Sequence, residues 1–205
     1  IGAVGGAIAV AHRSPFDYSN IIPIKIDASI FKNNRSEVQN DNMWMGPAVQ
    51  VGWPTHITNS LFDGNFLQNN GSNGGGPTAV SYTFNDDAQG QLDNVFANNT
   101  VVNNYFSNSN SGTNNHSPIV FWHSNATVIN NVVWDNPNGF VYFGEDDVKL
   151  NNHNNLENWD QNGTGYGPQT FSHDPKFKNV NNDNYQLSSN SLLIDAGTQE
   201  ADGYL

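Results

Sequence analysis

TVVNNYF at Thr100–Phe106 and TVINNVV at Thr127–Val133 are nearly the same phrase, written twice within one chain. In both, every second residue is of the inward, apolar type before and after an Asn–Asn pair. That is the period of a β-strand interrupted by a turn. A repeated apolar–polar phrase points to one structural unit stacked on another.

Relatives of the phrase occur along the chain. Thr55–Leu61 reads THITNSL and Ile24–Ile30 reads IKIDASI, while Val148–Asn152 fits more loosely. Aligned this way, Asn59, Asn104, Asn131 and Asn152 share one position. A second phrase alternates with the first: Gly6-AIAV, Pro47-AVQV, Thr78-AVSY, Pro118-IVFW and Gly139-FVYF. Its alignment places Ile8, Val49, Val80, Val120 and Val141 in one column. Val10, Val51, Tyr82, Trp122 and Phe143 fall in a column two residues on. The units are spaced by roughly 20 to 45 residues, the range of solenoid repeats with inserted loops.

The expected fold is therefore all-β, a right-handed parallel β-helix: a solenoid wound from a single chain. Each coil carries short strands that pair with like strands of the next coil, which one isolated coil cannot do. Aliphatic residues line the inside. The repeated asparagines, Asn59, Asn104, Asn131 and Asn152, are expected to form a structural ladder in which each amide bonds its neighbour above and below. Phe31-Lys-Asn-Asn34, Phe62-Asp-Gly-Asn65 and Phe96-Ala-Asn-Asn99 are expected to end strands with an aromatic and then turn. The competing expectation is an antiparallel sandwich with Asn-rich loops, but a sandwich has no need of the same residue type at the same offset in successive units. Coils are expected over residues 1–155, and residues 156–205 read as a loop-rich closing segment of the same domain.

Composition agrees with many turns and short strands. Asn fills roughly one position in six of the 205 residues, far above ordinary usage. Asn tolerates the left-handed backbone region and bonds its own backbone in turns. Hydrophobic residues make up 36% and charged residues only 13%, which argues against a disordered chain. There is no cysteine, so neither disulfides nor thiolate metal sites exist. The net charge of −12 disfavours nucleic acid and anionic membranes as partners, and no apolar run is long enough to span a bilayer. The opening IGAVGGAIAV lacks an initiator Met and a basic leader, so it reads as a strand entered in mid-protein rather than a signal peptide.

At this point the chain resembles the right-handed parallel β-helix proteins of secreted bacterial origin. GGAI at Gly5–Ile8 and the F-x-x-N phrases are similar to those of adhesin-type β-helices of the outer membrane. The tail carries the more specific likeness: Asp174-Pro-Lys-Phe177, Asn184-Tyr-Gln-Leu187 and Ser191-Leu-Leu-Ile-Asp-Ala-Gly197 resemble a closing pattern of DP-x-F, D-Y-x-L and S-P-x-I-D-A-G. Leu192 stands where that pattern has Pro. The resemblance implies an extracellular or cell-surface location and an adhesin or polysaccharide-active type. The fold alone does not choose among lyases, hydrolases, adhesins and passive shells.

Candidate chemistry lies along one expected edge, after the second phrase: His12 and Arg13, Trp53, Asp86 and Asp87, His123, then Glu145, Asp146 and Asp147. The outward face of the same strands is expected to carry Gln50, Ser81, Phe121 and Tyr142. Trp53, Phe121, His123, Tyr142 and Arg13 are the ligand-binding candidates, since aromatic faces stack on sugar C–H faces while polar groups bond hydroxyls. Asp86, Asp87, Glu145, Asp146 and Asp147 are weak Ca²⁺ candidates, hard oxygen donors without a D-x-D-x-D-G loop. Should the chain be a lyase or hydrolase, Asp86, Asp87, Glu145 and Asp146 are the catalytic candidates. Neighbouring coils would set such carboxylates about 4.8 Å or twice that apart, within the roughly 5–10 Å used by glycosidases. Only seven Lys and Arg are present, which opposes an anionic substrate. The expectation is a binding or structural module for a polysaccharide, a cell-surface glycan or neighbouring chains. Self-assembly through the end coils into a filament is a further alternative.

Overall fold

The computed structural model describes residues 7–10, 22–38, 46–70, 76–83, 94–108, 116–122, 124–137, 141–143, 148–157, 167 and 169–199. The chain is an all-β, right-handed parallel β-helix. The first coil contains β1 (Ile8–Val10), β2 (Ile24–Asp27), β3 (Ile30–Lys32) and β4 (Arg35–Val38). The second contains β5 (Val49–Val51), β6 (Thr55–Thr58), β7 (Leu61–Asp63) and β8 (Phe66–Asn69). The third contains β9 (Gly76–Thr83), β10 (Asn94–Ala97), β11 (Thr100–Val102) and β12 (Tyr105–Asn108). In the fourth lie β13 (His116–Trp122), β14 (Ala126–Ile129) and β15 (Val132–Trp134), and in the fifth β16 (Tyr142–Phe143), β17 (Val148–Asn152) and β18 (Asn155–Leu156). Like strands pair in parallel: β1-β5-β9-β13-β16, β2-β6-β10-β14-β17, β3-β7-β11-β15-β18 and β4-β8-β12. An antiparallel pair, β19 (Phe177–Asn179) and β20 (Asn184–Leu187), belongs to the closing segment.

The register explains the doubled phrase. Thr127 pairs with Val95, not with Thr100, while Thr100 pairs with Val132. TVINNVV therefore spans the corner between the second and third strands of its coil, and TVVNNYF the corner between the third and fourth. One local solution, strand–left-handed residue–ladder residue–strand, is used twice in each of the first three coils. At the first corner the left-handed residues are Ala28, Asn59, Asn98, Asn130 and His153; at the second they are Asn33, Gly64, Asn103 and Asp135. Asn and Gly suit these positions because the left-handed region costs other L-residues about 1–2 kcal/mol.

The residue that follows each left-handed position turns inward and forms the ladder. At the first corner Ser60 Oγ accepts from Ser29 N–H, and Asn99 Oδ1 accepts from Ser60 N–H at 2.9 Å. Asn99 Nδ2 donates to Asn131 Oδ1 at 3.1 Å and Asn131 Nδ2 to Asn154 Oδ1 at 2.9 Å. At the second corner the chain runs Asn34, Asn65, Asn104, Asn136, with amide-to-amide distances of 2.8, 2.7 and 2.9 Å. Asn104 and Asn131 are thus ladder members, but of two different ladders. Asn59 and Asn152 are not. Asn59 is the exposed left-handed residue and donates to Asp27 Oδ1, and Asn154 takes the rung expected of Asn152. The expected ladder mixed the two corners because their sequences look alike.

The interior is built of rows along the helix axis. Phe31 and Phe62 stack with ring centroids 4.9 Å apart, and Val101, Val133 and Leu156 continue their row. Phe96 pairs with Ile57, so it belongs to the neighbouring row of the second sheet. Tyr82 and Phe121 stack at 5.2 Å. Burial raises the Tyr82 phenol well above its ordinary pKa, and its hydroxyl donates to Val95 O at 3.1 Å.

The first sheet holds a second correction. Ile8, Val49 and Val80 share a row as expected, but the next member is Ile119, not Val120, and Phe121, not Trp122, lies beside Tyr82. The pairing slips between Ser117 and Ile119, at Pro118, where β9 carries an extra residue. Pro has no N–H to give to a ladder, and a one-residue slip sends each following side chain to the opposite face. Phe121 is fully buried inside the coil, so it is a core residue and not an outward ligand contact.

Candidate functional site

Most of the expected edge lies outside the described residues: Arg13, Asp86, Asp87, His123, Glu145, Asp146 and Asp147. Tyr142 is in β16, and its side chain likewise lies outside the description. Trp53 is half-buried and its indole N–H donates to Ile22 O at 3.3 Å. Gln50 serves the scaffold: Nε2 donates to Thr83 Oγ1 and Oε1 accepts from Gly46 N–H. Among the described residues no group of three or more His, Cys, Asp or Glu side chains is arranged to hold a metal ion. The expected Ca²⁺ residues are not among those described.

The described residues form a site elsewhere, on the outer face of the third sheet. Alternation in β3, β7, β11 and β15 turns Phe31, Phe62, Val101 and Val133 inward. Lys32, Asp63, Val102 and Trp134 then form an outer row in register. The closing segment packs over this face. Asn103 Nδ2 donates to the Tyr185 hydroxyl at 2.9 Å and to Asp63 Oδ1 at 3.0 Å. Tyr185 also hydrogen-bonds Asp63. Lys32 Nζ lies 3.1 Å from Asp63 and 2.5 Å from Asp183.

The electrostatics follow from that geometry. Burial first, and then the hydrogen bond to Asp63, push the Tyr185 phenol up to about 12. The hydrogen bond to Asp183 is the largest of the effects that raise the Lys32 ammonium above its ordinary value, so it stays charged. Asp27, beside the groove, is lowered chiefly by the hydroxyl of Thr58 and the amide of Asn59, so it stays ionised at neutral pH.

Two asparagines read the backbone of the closing part of the chain. Asn130 donates to Thr198 O at 2.8 Å and accepts from Thr198 N–H at 2.9 Å. Asn155 makes the same paired contact with His173, both bonds at 2.9 Å.

Between the first corner row and β20 runs a groove of about 570 Å³, lined by Ser29, Asn59, Ser60, Asn98, Thr100, Asp183, Asn184, Tyr185 and Gln186, with Ala28, Ile30 and Leu61. Its described walls offer amides, hydroxyls, one carboxylate and the body of one tyrosine, and no lysine or arginine. The carboxylate, Asp183, is already engaged by Lys32.

No family model, no curated protein and no solved structure matches this chain. Its chemistry is therefore read from its own residues. The sequence reading singled out Tyr185 within the tail pattern but missed its partners, Lys32, Asp63, Asn103 and Asp183. The signal was available in the alternation of β3 and β7, which sets Lys32 and Asp63 outward on one row.

Proposed function

We propose that this chain is an extracellular or cell-surface β-helix module of the adhesin or polysaccharide-binding type, and that it holds a hydroxyl-rich carbohydrate chain in the groove beside the closing segment. The observation that carries the reading is the groove lining: amides at successive corners, Asn59 and Asn98, facing Asn184, Gln186 and Tyr185. Amides donate and accept at once, which matches sugar hydroxyls, while Tyr185, Ile30 and Leu61 supply apolar surface for sugar C–H faces. The net charge of −12 and the absence of lysine and arginine from the described lining favour a neutral or cationic glycan over a uronate. The described lining holds a single carboxylate, whereas glycosidic hydrolysis uses two, which favours binding over cleavage in this reading.

Calorimetric titration with neutral, uronic and amino oligosaccharides, in Ca²⁺ and in chelator, tests the proposal. The expected result is saturable binding of a neutral or amino ligand that needs no Ca²⁺ and is abolished by Asn98→Trp, which fills the groove. Binding that survives Asn98→Trp unchanged counts against this site.

A second reading, contact between neighbouring chains, is favoured by the apolar surface of the first coil. Ile22 is 82% exposed and Ile30 71%. Both lie in the first coil, whose strands β2 and β3 end their sheets. Concentration-dependent sedimentation supports that reading, and a monodisperse monomer at high concentration opposes it.

A further inference from the structure

Tyr185 walls the groove on one side and a second, smaller hollow on the other. This hollow, of about 270 Å³, is lined by Val102, Asn103, Trp134, Asp135, Asp174, Lys176, Phe177, Val180 and Tyr185. It is smaller than the roughly 300–1,000 Å³ of pockets for drug-sized ligands, which suits a single pyranose ring.

The hollow combines aromatic surface with negative charge. Phe177 and Tyr185 meet edge to face, with centroids 5.3 Å apart. Trp134 adds a half-buried indole from the outer row of the third sheet. Asp135 and Asp174 contribute carboxylates at exposed positions. Outside the lining, the Glu157 carboxylate accepts from Asp135 N–H. Within it the two carboxylates face one ammonium, Lys176, which is directed to Asn190 O at 3.4 Å. Asp174 Oδ1 is occupied by Lys176 N–H, whereas Asp135 receives no side-chain hydrogen bond from the described residues. An indole face beside carboxylates is suited to a cation that also carries C–H surface.

We infer that this hollow is a subsite for a protonated amino sugar, one residue of the chain that the neighbouring groove holds. The inference rests on the glycan reading of that groove. The ammonium would sit between Asp135 and the Trp134 face, and the ring hydroxyls would meet Asn103 and Asp174. No covalent step is involved.

The test uses three oligosaccharides of equal length and linkage, titrated into the whole chain. One carries free amines (a chitosan hexamer), one the same amines acetylated, and one hydroxyls in their place. The free-amine ligand is expected to bind about tenfold tighter than the other two, as one partly desolvated cation–π contact allows. Asp135→Asn and Trp134→Leu are expected to reduce that preference to within about twofold while binding of the hydroxyl ligand persists. Asn is well suited to the left-handed backbone of residue 135, where φ is 53°, so Asp135→Asn keeps the fold. Glu37→Gln, on the fourth sheet, separates a local effect from the chain's overall charge and is expected to leave the preference intact. Equal binding of all three ligands overturns this inference and leaves the glycan reading standing. A preference unchanged in Asp135→Asn and Trp134→Leu, or lost in Glu37→Gln, also overturns it. Failure of all three ligands to bind removes both readings.

Discussion

Replacing Asn104 by Ala is expected to cost about 2–5 kcal/mol, most of it from polar groups left without partners rather than from lost packing. Asn104 Oδ1 accepts from Asn65 N–H at 2.9 Å and from Asn65 Nδ2 at 2.7 Å. Its Nδ2 lies 3.0 Å from Phe62 O, 2.8 Å from Val102 O and 2.9 Å from Asn136 Oδ1. Truncation removes the acceptor that the Asn65 N–H has in the structure. An orphaned buried donor costs about 1–3 kcal/mol. The remaining partners fare better: Asn65 Nδ2 keeps Phe31 O, Val102 O keeps Gly64 N–H, and Asn136 Oδ1 keeps Asn104 N–H. Weakened carbonyls and the void left by the amide add about 1–2 kcal/mol. Asn59→Ala is the internal control. Asn59 is exposed, with φ of 50°, and its side chain donates to Asp27 Oδ1. Its loss is expected to cost about 1 kcal/mol, because Ala lacks the local side-chain hydrogen bonding that lets Asn adopt the left-handed region. Urea unfolding followed by circular dichroism measures both variants. Equal losses, or a loss below about 1 kcal/mol for Asn104→Ala, would refute the ladder as the source of corner stability.

Further predictions concern register, the closing segment and backbone approach. Phe121→Ala is expected to cost about 3–5 kcal/mol as a core truncation, and Trp122→Ala less than half of that, since Trp122 is only half-buried; comparison of their urea midpoints decides the register of the first sheet. The raised phenol of Tyr185 favours the docked closing segment while it is neutral. That contribution is present in full below the unfolded value of about 10 and is lost as pH rises through about 12. Limited proteolysis of the tail should therefore accelerate across that window in the wild type, and at all pH values in Tyr185→Ala. A Cβ at residue 46 would lie 2.5 Å from Val49 O and 2.8 Å from Ala79 O. Gly46→Ala is thus expected to lower the urea midpoint more than Gly197→Ala, whose Cβ would lie nearest the Asn130 side chain, at 3.2 Å.

The architecture was legible because its physics is local. Alternation at Thr127–Val133 gives a strand, the Asn–Asn pair gives a left-handed turn and an inward amide, and repetition of both requires stacked parallel strands. Register was less legible. Both corners of a coil use the same chemistry, so Thr100–Phe106 and Thr127–Val133 align well in letters while occupying different corners. The frame of the first sheet passed through Pro118, where the pairing slips by one, and so placed Phe121 outside. The described site escaped notice for a related reason. Lys32, Asp63, Asn103 and Tyr185 are far apart in the chain, and only correct stacking plus docking of the closing segment brings them together. Of the expected edge, Trp53 alone has a described side chain that is not part of the interior, and the expected carboxylates lie outside the described residues.

The most direct test of the account is size-exclusion chromatography of the whole chain with a panel of neutral, amino and uronic polysaccharides, following both protein and polymer. The account predicts that the protein moves to the elution position of a neutral or amino polysaccharide whose length is unchanged, and that Asn98→Trp returns it to its own position. Independent elution from every polymer would contradict carbohydrate binding, and a shortened polymer would contradict binding without cleavage.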